Sequence, residues 1–372
     1  LMRAAPSEAY AAKLSPAERQ ALVRQDPEMD AWLEVHGRWS GGIQVLAIDD
    51  FERGAGWIEH HLISESQRLE LHAIGRPLPA ECGWTAEFEG IALNGVAAGF
   101  VLSQERAVGA GDCSNLGEQK ILGVAVSFPG RQLTISETDI STLLFAPSTP
   151  SLDHFLREQT GGQTWVTGAT ARVELDRAYG CNESGPLADA VFRVLSGRGE
   201  LNKYARFVLF FPITPTESCY GGLGSVNCRP PDSSSGHWKS IAWIPVRTNA
   251  TSPSARVIHH ELGHNFGLLH SSSRRFANLA LGAPGEQGNL DEYGDPFTVM
   301  GSGWASYTVR QKRHAGWLDQ SQIIAVEAPG TYSIEPVGAS SAGPKALRIR
   351  RTPGVNAWLW VEYHKPQGPY YS

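Results

Sequence analysis

The sequence predicts an α/β (α+β) protein in which a mixed sheet backs one histidine-rich helix, flanked by an N-terminal small β-domain and a C-terminal β-rich segment. Three observations predict this. Two nearly continuous apolar runs, QKILGVAVSFPG and RFVLFFPI, read as strands buried on both faces, and segments of helical period lie between them. From Gly42 to about Leu102 the chain alternates apolar with polar in short stretches cut by Gly, Pro and Asn turns. Strand-like stretches return from Gln322 to the end.

A chain of 372 residues has material for two or three domains, and the changes of pattern divide it at 1–112, 113–320 and 321–372. A net charge of −6 with no Lys/Arg block argues against nucleic acid as a main partner. No apolar run reaches the length of a membrane span. Few charged residues, with 40 Gly, 23 Pro and 11 Trp, suit a loop-rich extracellular protein. Secretion is therefore expected, although the opening LMRAAPSEAYAAKL lacks the basic and apolar regions of a signal peptide. The end at Tyr371-Ser372 has no terminating feature, and the natural chain is expected to continue.

The elements follow in order. Ser15 as N-cap and Pro16 behind it start a short helix over 15–26. IQVLAI, HHLIS, RLELHAI, GWTAEFEGIAL and GVAAGFVL are four or five strands of a small barrel or sandwich, and their His60, His61 and His72 have no ligand spacing. Residues 103–118 are polar, glycine-rich and read as a linker. After QKILGVAVSFPG come helices at ETDISTLLFA and SLDHFLREQ, a hairpin at WVTGATARVEL, and a helix at GPLADAVFRVLSG. RFVLFFPI and KSIAWIPV are strands, separated by the glycine-rich CYGGLGSVNC. RQKRHAGWL is a short helix, and IIAVEA, GTYSIEPV, KALRIRRT and AWLWVEYH are C-terminal strands.

The chemistry concentrates in His260-Glu261-x-x-His264-x-x-Gly267-x-x-His270. On a helix, His260 and His264 lie one turn apart on the same face, about 6 Å from each other. Were the helix to run on, His270 would lie ~15 Å along the axis from His260 and ~80° round it. No single ion could then join them. The helix must end soon after His264, and Gly267 takes positive φ there at least cost. Three imidazoles around one Zn²⁺ leave a fourth position for water, as a catalytic site requires. Glu261 lies beside the ion as a general base that later returns the proton to a leaving amine. His259 faces away and packs. A structural zinc site would more often use cysteine or fill all four positions with protein.

The long form of this motif followed by a methionine turn is the metzincin signature. With Glu292-Tyr293-Gly294-Asp295-Pro296, Val299-Met300-Gly301, Gly117-Glu118-Gln119-Lys120-Ile121-Leu122 and Gly316-Trp317-Leu318, the chain resembles the gametolysin family of metzincin metallopeptidases over roughly 117–365. The resemblance implies a zinc endopeptidase with His260, His264 and His270 as ligands, Glu261 as base and acid, and Met300 as an apolar floor beneath the metal. It also implies an N-terminal prosegment, for which the β-rich region up to about 112 is in the right place. In related metzincins a prosegment cysteine can block zinc's open position. Cys113 in the linker and Cys82 are the candidates, unless they bond to each other or one of them to Cys181.

Five cysteines fit an oxidising compartment and leave one over. Cys219 and Cys228 are close enough in sequence to close a small disulfide loop. That loop precedes the zinc helix where metzincins place the edge strand that pairs with an extended substrate. Asp291, Glu292 and Asp295 could bind Ca²⁺, but they lack a repeated oxygen-ligand loop and read more simply as a turn under the site. Asn182-Glu-Ser and Asn249-Ala-Thr match the glycosylation pattern, which is common by chance. The expected function is a secreted zinc endopeptidase acting on extracellular or cell-wall proteins and held latent by its N-terminal region. The rival is a non-catalytic binding or adhesion module on the same fold, in which Glu261 would have no purpose.

Overall fold

The computed structural model describes residues 35–370 apart from 65–66, 94, 108–112, 200, 229–238, 251, 305, 353, 355–356 and 367. The helix expected at 15–26 lies outside the described residues.

Five strands form the first half: β1 (Val35–Asp50), β2 (Ala55–Ile63), β3 (Arg68–Ile74), β4 (Trp84–Leu93) and β5 (Val96–Arg106). They follow the order β2-β3-β5-β4-β1, and β1 pairs back to β2, so the sheet closes into a small barrel. β1 manages this by length: residues 35–43 pair with β4 and residues 42–50 with β2. Its inward side chains, Ile43, Val45 and Ala47, join Leu62, Leu69, Leu71 and Phe88 in one apolar core.

The second half is an open sheet of β6 (Gly117–Ser127), β7 (Thr164–Glu174), β8 (Arg206–Ile213), β9 (Gly222–Ser225) and β10 (Ser240–Arg247). β7, β6, β8 and β10 run parallel, and β9 lies antiparallel on β10. Every residue of β8 is buried, as its unbroken apolar run requires. Helices cover both faces. α1 (Glu137–Phe145), α2 (Leu152–Thr160) and the histidine-bearing α4 (Ala255–Asn265) pack on one, and α3 (Ser184–Gly197) packs on the other. Ser136 opens α1 with a capping box closed by Asp139, and Ser151 caps α2. The β1 segment Leu46–Asp49 then pairs antiparallel with Ser225–Gly222 of β9. This seam joins both halves into one ten-stranded sheet.

Beyond α4, a two-stranded ribbon of β11 (Ser273–Arg275) and β12 (Asn289–Asp291) precedes α5 (Val309–His314). β13 (Ile323–Val326), β14 (Ala346–Arg350) and β15 (Trp358–Glu362) form a separate three-stranded sheet. No strand forms at GTYSIEPV; there Glu335 and Val337 each make a single backbone bond, to Pro344 and Tyr363. The expected hairpin at WVTGATARVEL is also corrected: it is the single strand β7, parallel to β6 over eleven residues. Gly168 is needed there for close approach, since a Cβ would lie 1.8 Å from the Ile121 carbonyl oxygen.

The disulfides differ from the one expected. Cys113 bonds to Cys228 and Cys181 to Cys219, with Cα separations of 6.1 and 5.5 Å. Cys219 and Cys228 do not bridge to each other, because each is taken by a partner outside the segment that carries β9. The two bonds fit an oxidising environment. Among the described residues no helix is long and apolar enough to cross a membrane.

Candidate metal centre

Helix α4 ends where the motif demands. Phe266 is its C-cap, and Gly267 follows with φ of 85°. Gly267 N–H bonds to His264 O at 2.8 Å and Leu268 N–H to Gly263 O at 3.0 Å, the paired bonds of a Schellman turn. The reversal returns His270 to the other two histidines, with its ring centroid 5.3 Å from that of His260 and 4.9 Å from that of His264.

The far end of α4 is locked to the sheet by a buried guanidinium. Arg206 of β8 donates to Gln119 Oε1 at 2.8 Å, Ser240 Oγ at 3.0 Å and the Asn265 carbonyl at 2.7 Å. Burial depresses this guanidinium to about 9. Asn265 Nδ2 adds bonds of 3.0 Å to Ser225 O on β9 and to Ile241 O on β10. The helix therefore has a fixed place relative to β9.

Each ring is oriented through Nδ1. His260 Nδ1 lies 2.7 Å from Val299 O, His264 Nδ1 2.7 Å from Leu268 O, and His270 Nδ1 2.7 Å from Glu292 Oε1. None of those oxygens can donate, so Nδ1 carries the hydrogen and Nε2 is left to face the centre. All three Nε2 atoms are buried and lack a hydrogen-bond donor or acceptor of ordinary geometry.

A fourth residue, from outside the histidine motif, meets them there. Asp49, the penultimate residue of β1, is fully buried with Oδ1 2.6 Å from His270 Nε2 and 3.3 Å from His260 Nε2. Its Oδ2 lies 3.4 Å from His264 Nε2. Tyr293 Oη donates to Asp49 Oδ1 at 2.6 Å. Asp49, His260, His264 and His270 present one ligand atom each within 4.8 Å of one another, and this group could hold a metal ion.

The donor set fits zinc. Three imidazole lone pairs and a carboxylate converging on one point repel unless a cation lies among them. Tetrahedral bonds of about 2.05 Å put ligand atoms about 3.3 Å apart, which matches the separations at His260 and His264. The contact at His270 is shorter and has the length of a hydrogen bond, so here the spacing of a metal shell is incomplete.

Charge follows the geometry. Burial alone raises the Asp49 carboxyl, but whenever the imidazoles are protonated at Nε2 as well, the charge and hydrogen bond of His260, with the hydrogen bonds of His264 and His270, hold it well below the usual range. Burial takes His264 down to about 4 against the pull of Asp49. At His270 burial also lowers the value, yet Asp49 and then Glu292 carry it above normal. Glu261 lies wholly buried beside the histidines with neither carboxylate oxygen hydrogen-bonded. Burial, and then the charge of Asp49, push its carboxyl well above the usual range.

The glycines of CYGGLGSVNC permit this packing. A Cβ on Gly222 would lie 2.0 Å from Glu261 Oε1, and one on Gly224 would lie 2.8 Å from the Glu261 carbonyl oxygen. β9 can therefore run directly over the helix. Met300 is fully buried under α4, where a Cβ on Gly263 would lie 2.3 Å from its sulfur. It is beneath the histidines and is not one of the converging groups. His259 turns away and stacks on Phe155 with centroids 4.2 Å apart, and burial lowers its pKa to about 3.

The expected blocking cysteines are corrected. Neither candidate blocking cysteine is near the histidines: Cys113 is spent on its bond to Cys228, and Cys82 lies in the barrel core with its sulfur 3.1 Å from Val45 N. Among the described residues the acidic trio is not gathered into a group that could hold a metal ion, in line with its reading as a turn under the site. Glu292 orients His270, Asp295 Oδ1 accepts from Phe297 N–H at 2.8 Å, and Asp291 is an exposed residue of β12. His60 bonds Pro79 O and His61 pairs with Glu59, away from the centre. Asp49 was missed because nothing local marks it. The available signal was an acidic pair closing the apolar strand IQVLAI, directly before a turn.

No protein-family model and no curated protein matches the chain.

Proposed function

We propose that the protein is a secreted zinc-dependent endopeptidase of the metzincin type, which the gametolysin-like motifs suggest. The observation that carries the proposal is the convergence of three Nδ1-anchored histidines beside a buried carboxylate that makes no hydrogen bond. A purely structural site would have no use for that carboxylate.

His260, His264 and His270 would hold the ion, and zinc bound there supplies Lewis-acid polarisation of water and of a peptide carbonyl. Glu261 supplies proton transfer. Its desolvated carboxylate takes a proton from the attacking water and hands it to the leaving amine. Tyr293 Oη, already donating to an oxygen at the centre, is placed to donate to the oxygen of a substrate carbonyl. β9 would bind the substrate backbone as an added strand, and its glycines keep that strand close to Glu261. The three-histidine frame, the Schellman turn and Met300 then serve as a rigid support for this chemistry.

The test uses the full chain cut once on the N-terminal side of Cys113, with unfolded casein as substrate. Hydrolysis should vanish with a chelator, return with zinc, and fall about 10²–10⁴-fold in Glu261→Ala, the usual worth of a general base. Metal content should be one zinc per chain and should drop in His264→Ala. Hydrolysis that survives the chelator or the Glu261 change would remove the mechanism. One tightly held zinc with no hydrolysis would favour a non-catalytic binding module instead.

A further inference from the structure

We infer that the N-terminal barrel is a built-in inhibitor that uses a carboxylate: strand β1 occupies the edge on which an extended peptide would bind, and Asp49 fills the fourth metal position. The inference rests on the zinc peptidase reading and specifies how that site is kept closed.

Strand β9 has two edges. One pairs with β10, and the other pairs with β1 through Leu46–Asp49. Val45 O accepts from Val226 N–H at 2.9 Å, and Asp49 O accepts from Gly221 N–H at 2.5 Å. Those backbone groups, one flanking each end of β9, are the ones an incoming peptide strand would need. While β1 is in place, no second strand can add there.

The blocking side chain sits on the same strand, in register. Asp49 pairs with Gly222, and a Cβ on Gly222 would strike the Glu261 carboxylate. The register thus delivers the Asp49 carboxylate to the point where the three Nε2 atoms, Glu261 and Tyr293 meet. A buried aspartate serving only the barrel would be answered by groups of the barrel. The side-chain contacts of Asp49 are instead His260, His264, His270 and Tyr293, all from the other half of the molecule.

Phe51 extends the match. Its ring lies edge-on to His260 with centroids 5.0 Å apart and under the Arg256 guanidinium at 5.1 Å. The chain entering the centre therefore packs against one of its histidines just past Asp49 as well.

The attachment is also reversible by a single cut. Both disulfides, Cys113–Cys228 and Cys181–Cys219, lie on the C-terminal side of the interval between β5 and β6. Cleavage before Cys113 leaves β1–β5 held by non-covalent contacts alone. A peptide bond broken there consumes one water and needs no other reagent, so a second peptidase or another copy of this one suffices.

The experiment loads Co²⁺ in place of zinc and compares the full chain with Asp49→Ala and Asp49→Asn, reading the visible spectrum and acetohydroxamate binding. If the blocked form is 99% populated, an apparent affinity is reduced ~100-fold. Asp49→Ala should therefore change the spectrum and bind acetohydroxamate up to ~100-fold more tightly than the parent. Asp49→Asn, which keeps the shape and removes the charge, should move both readouts in the same direction by less. Cutting the parent before Cys113 should produce the same opening, which covers the case of a variant that fails to fold. Parent and variants with one spectrum and one hydroxamate affinity would overturn Asp49 as the blocking group while leaving the peptidase reading intact. An opened spectrum without casein hydrolysis would keep the inhibitor and remove the peptidase. Failure of every form to bind Co²⁺ would remove both.

Discussion

The two halves of the ten-stranded sheet are built by different rules, although they share one seam. On the β9 side the strands are mostly parallel, helices cover both faces, two disulfides cross-link the loops, and Arg206 ties β6, β10 and α4 around one buried charge. On the β1 side five strands close on one small core, and the described residues include no disulfide. Its outer face leaves Trp57, Ile74 and Phe100 substantially exposed. The difference separates a half made to keep its shape from a half made to be removed. The site straddles the boundary: Glu261 and the three histidines belong to the β9 side, and Asp49 belongs to the β1 side.

The strongest way to break this comparison is to empty the barrel core. Phe88 is fully buried among Leu62, Leu71 and Val101 in that core and has no part in the metal centre. Phe88→Ala should cost about 3–5 kcal/mol of barrel stability. Because the barrel is the inhibitor, hydrolysis of unfolded casein by the uncut, zinc-loaded chain should rise rather than fall. Denaturation followed by tryptophan fluorescence and by Co²⁺ absorbance should show the barrel unfolding first. Coincident transitions with falling activity would mean that the halves form one cooperative unit.

A change on the other side should do the opposite. Replacing Cys181 and Cys219 together by Ser removes a cross-link spanning 38 residues and should cost ~2–4 kcal/mol. The loss falls on the β9 side, so the Co²⁺ transition should move to lower denaturant. Acetohydroxamate access in the uncut chain should stay unchanged, because β1 and Asp49 are still in place. Increased access would show that the bond between α3 and the β9 loop also holds the seam.

The same division explains what could be read in the sequence. α4, its end at Gly267 and the convergence of the three histidines were legible because a helix fixes geometry over a few residues and glycine marks its reversal. β6, β8 and β10 were legible from apolar runs that only a sheet covered on both faces can bury. The pairs that cross the fold were not legible. Asp49 meets His260 across 211 residues, and Cys113 finds Cys228 across 115. Neither spacing carries a local signature, so the nearest cysteines read as partners although each is bonded elsewhere. Glu292 was legible only as part of a turn under the site; that its carboxylate orients His270 depends on a contact across 22 residues.

The smallest effect should come from the rim of the seam. Arg247 of β10 reaches Glu52 at 2.9 Å, just past the end of β1, while also donating to Pro215 O at 2.8 Å. Glu52 is 77% exposed, so solvent screens the pair. Arg247→Ala should therefore weaken the barrel's hold by only ~0.2–1 kcal/mol, and casein hydrolysis by the uncut chain should rise by no more than about fivefold. Half-molar salt should erase the difference between variant and parent, because the Debye length then falls to a few ångströms, roughly 4 Å. It should leave the gap between Asp49→Ala and parent intact, since that carboxylate is screened by protein rather than by ions. A rim variant that opened the centre as fully as Asp49→Ala would place the lock at the surface and reduce the buried carboxylate to a passenger.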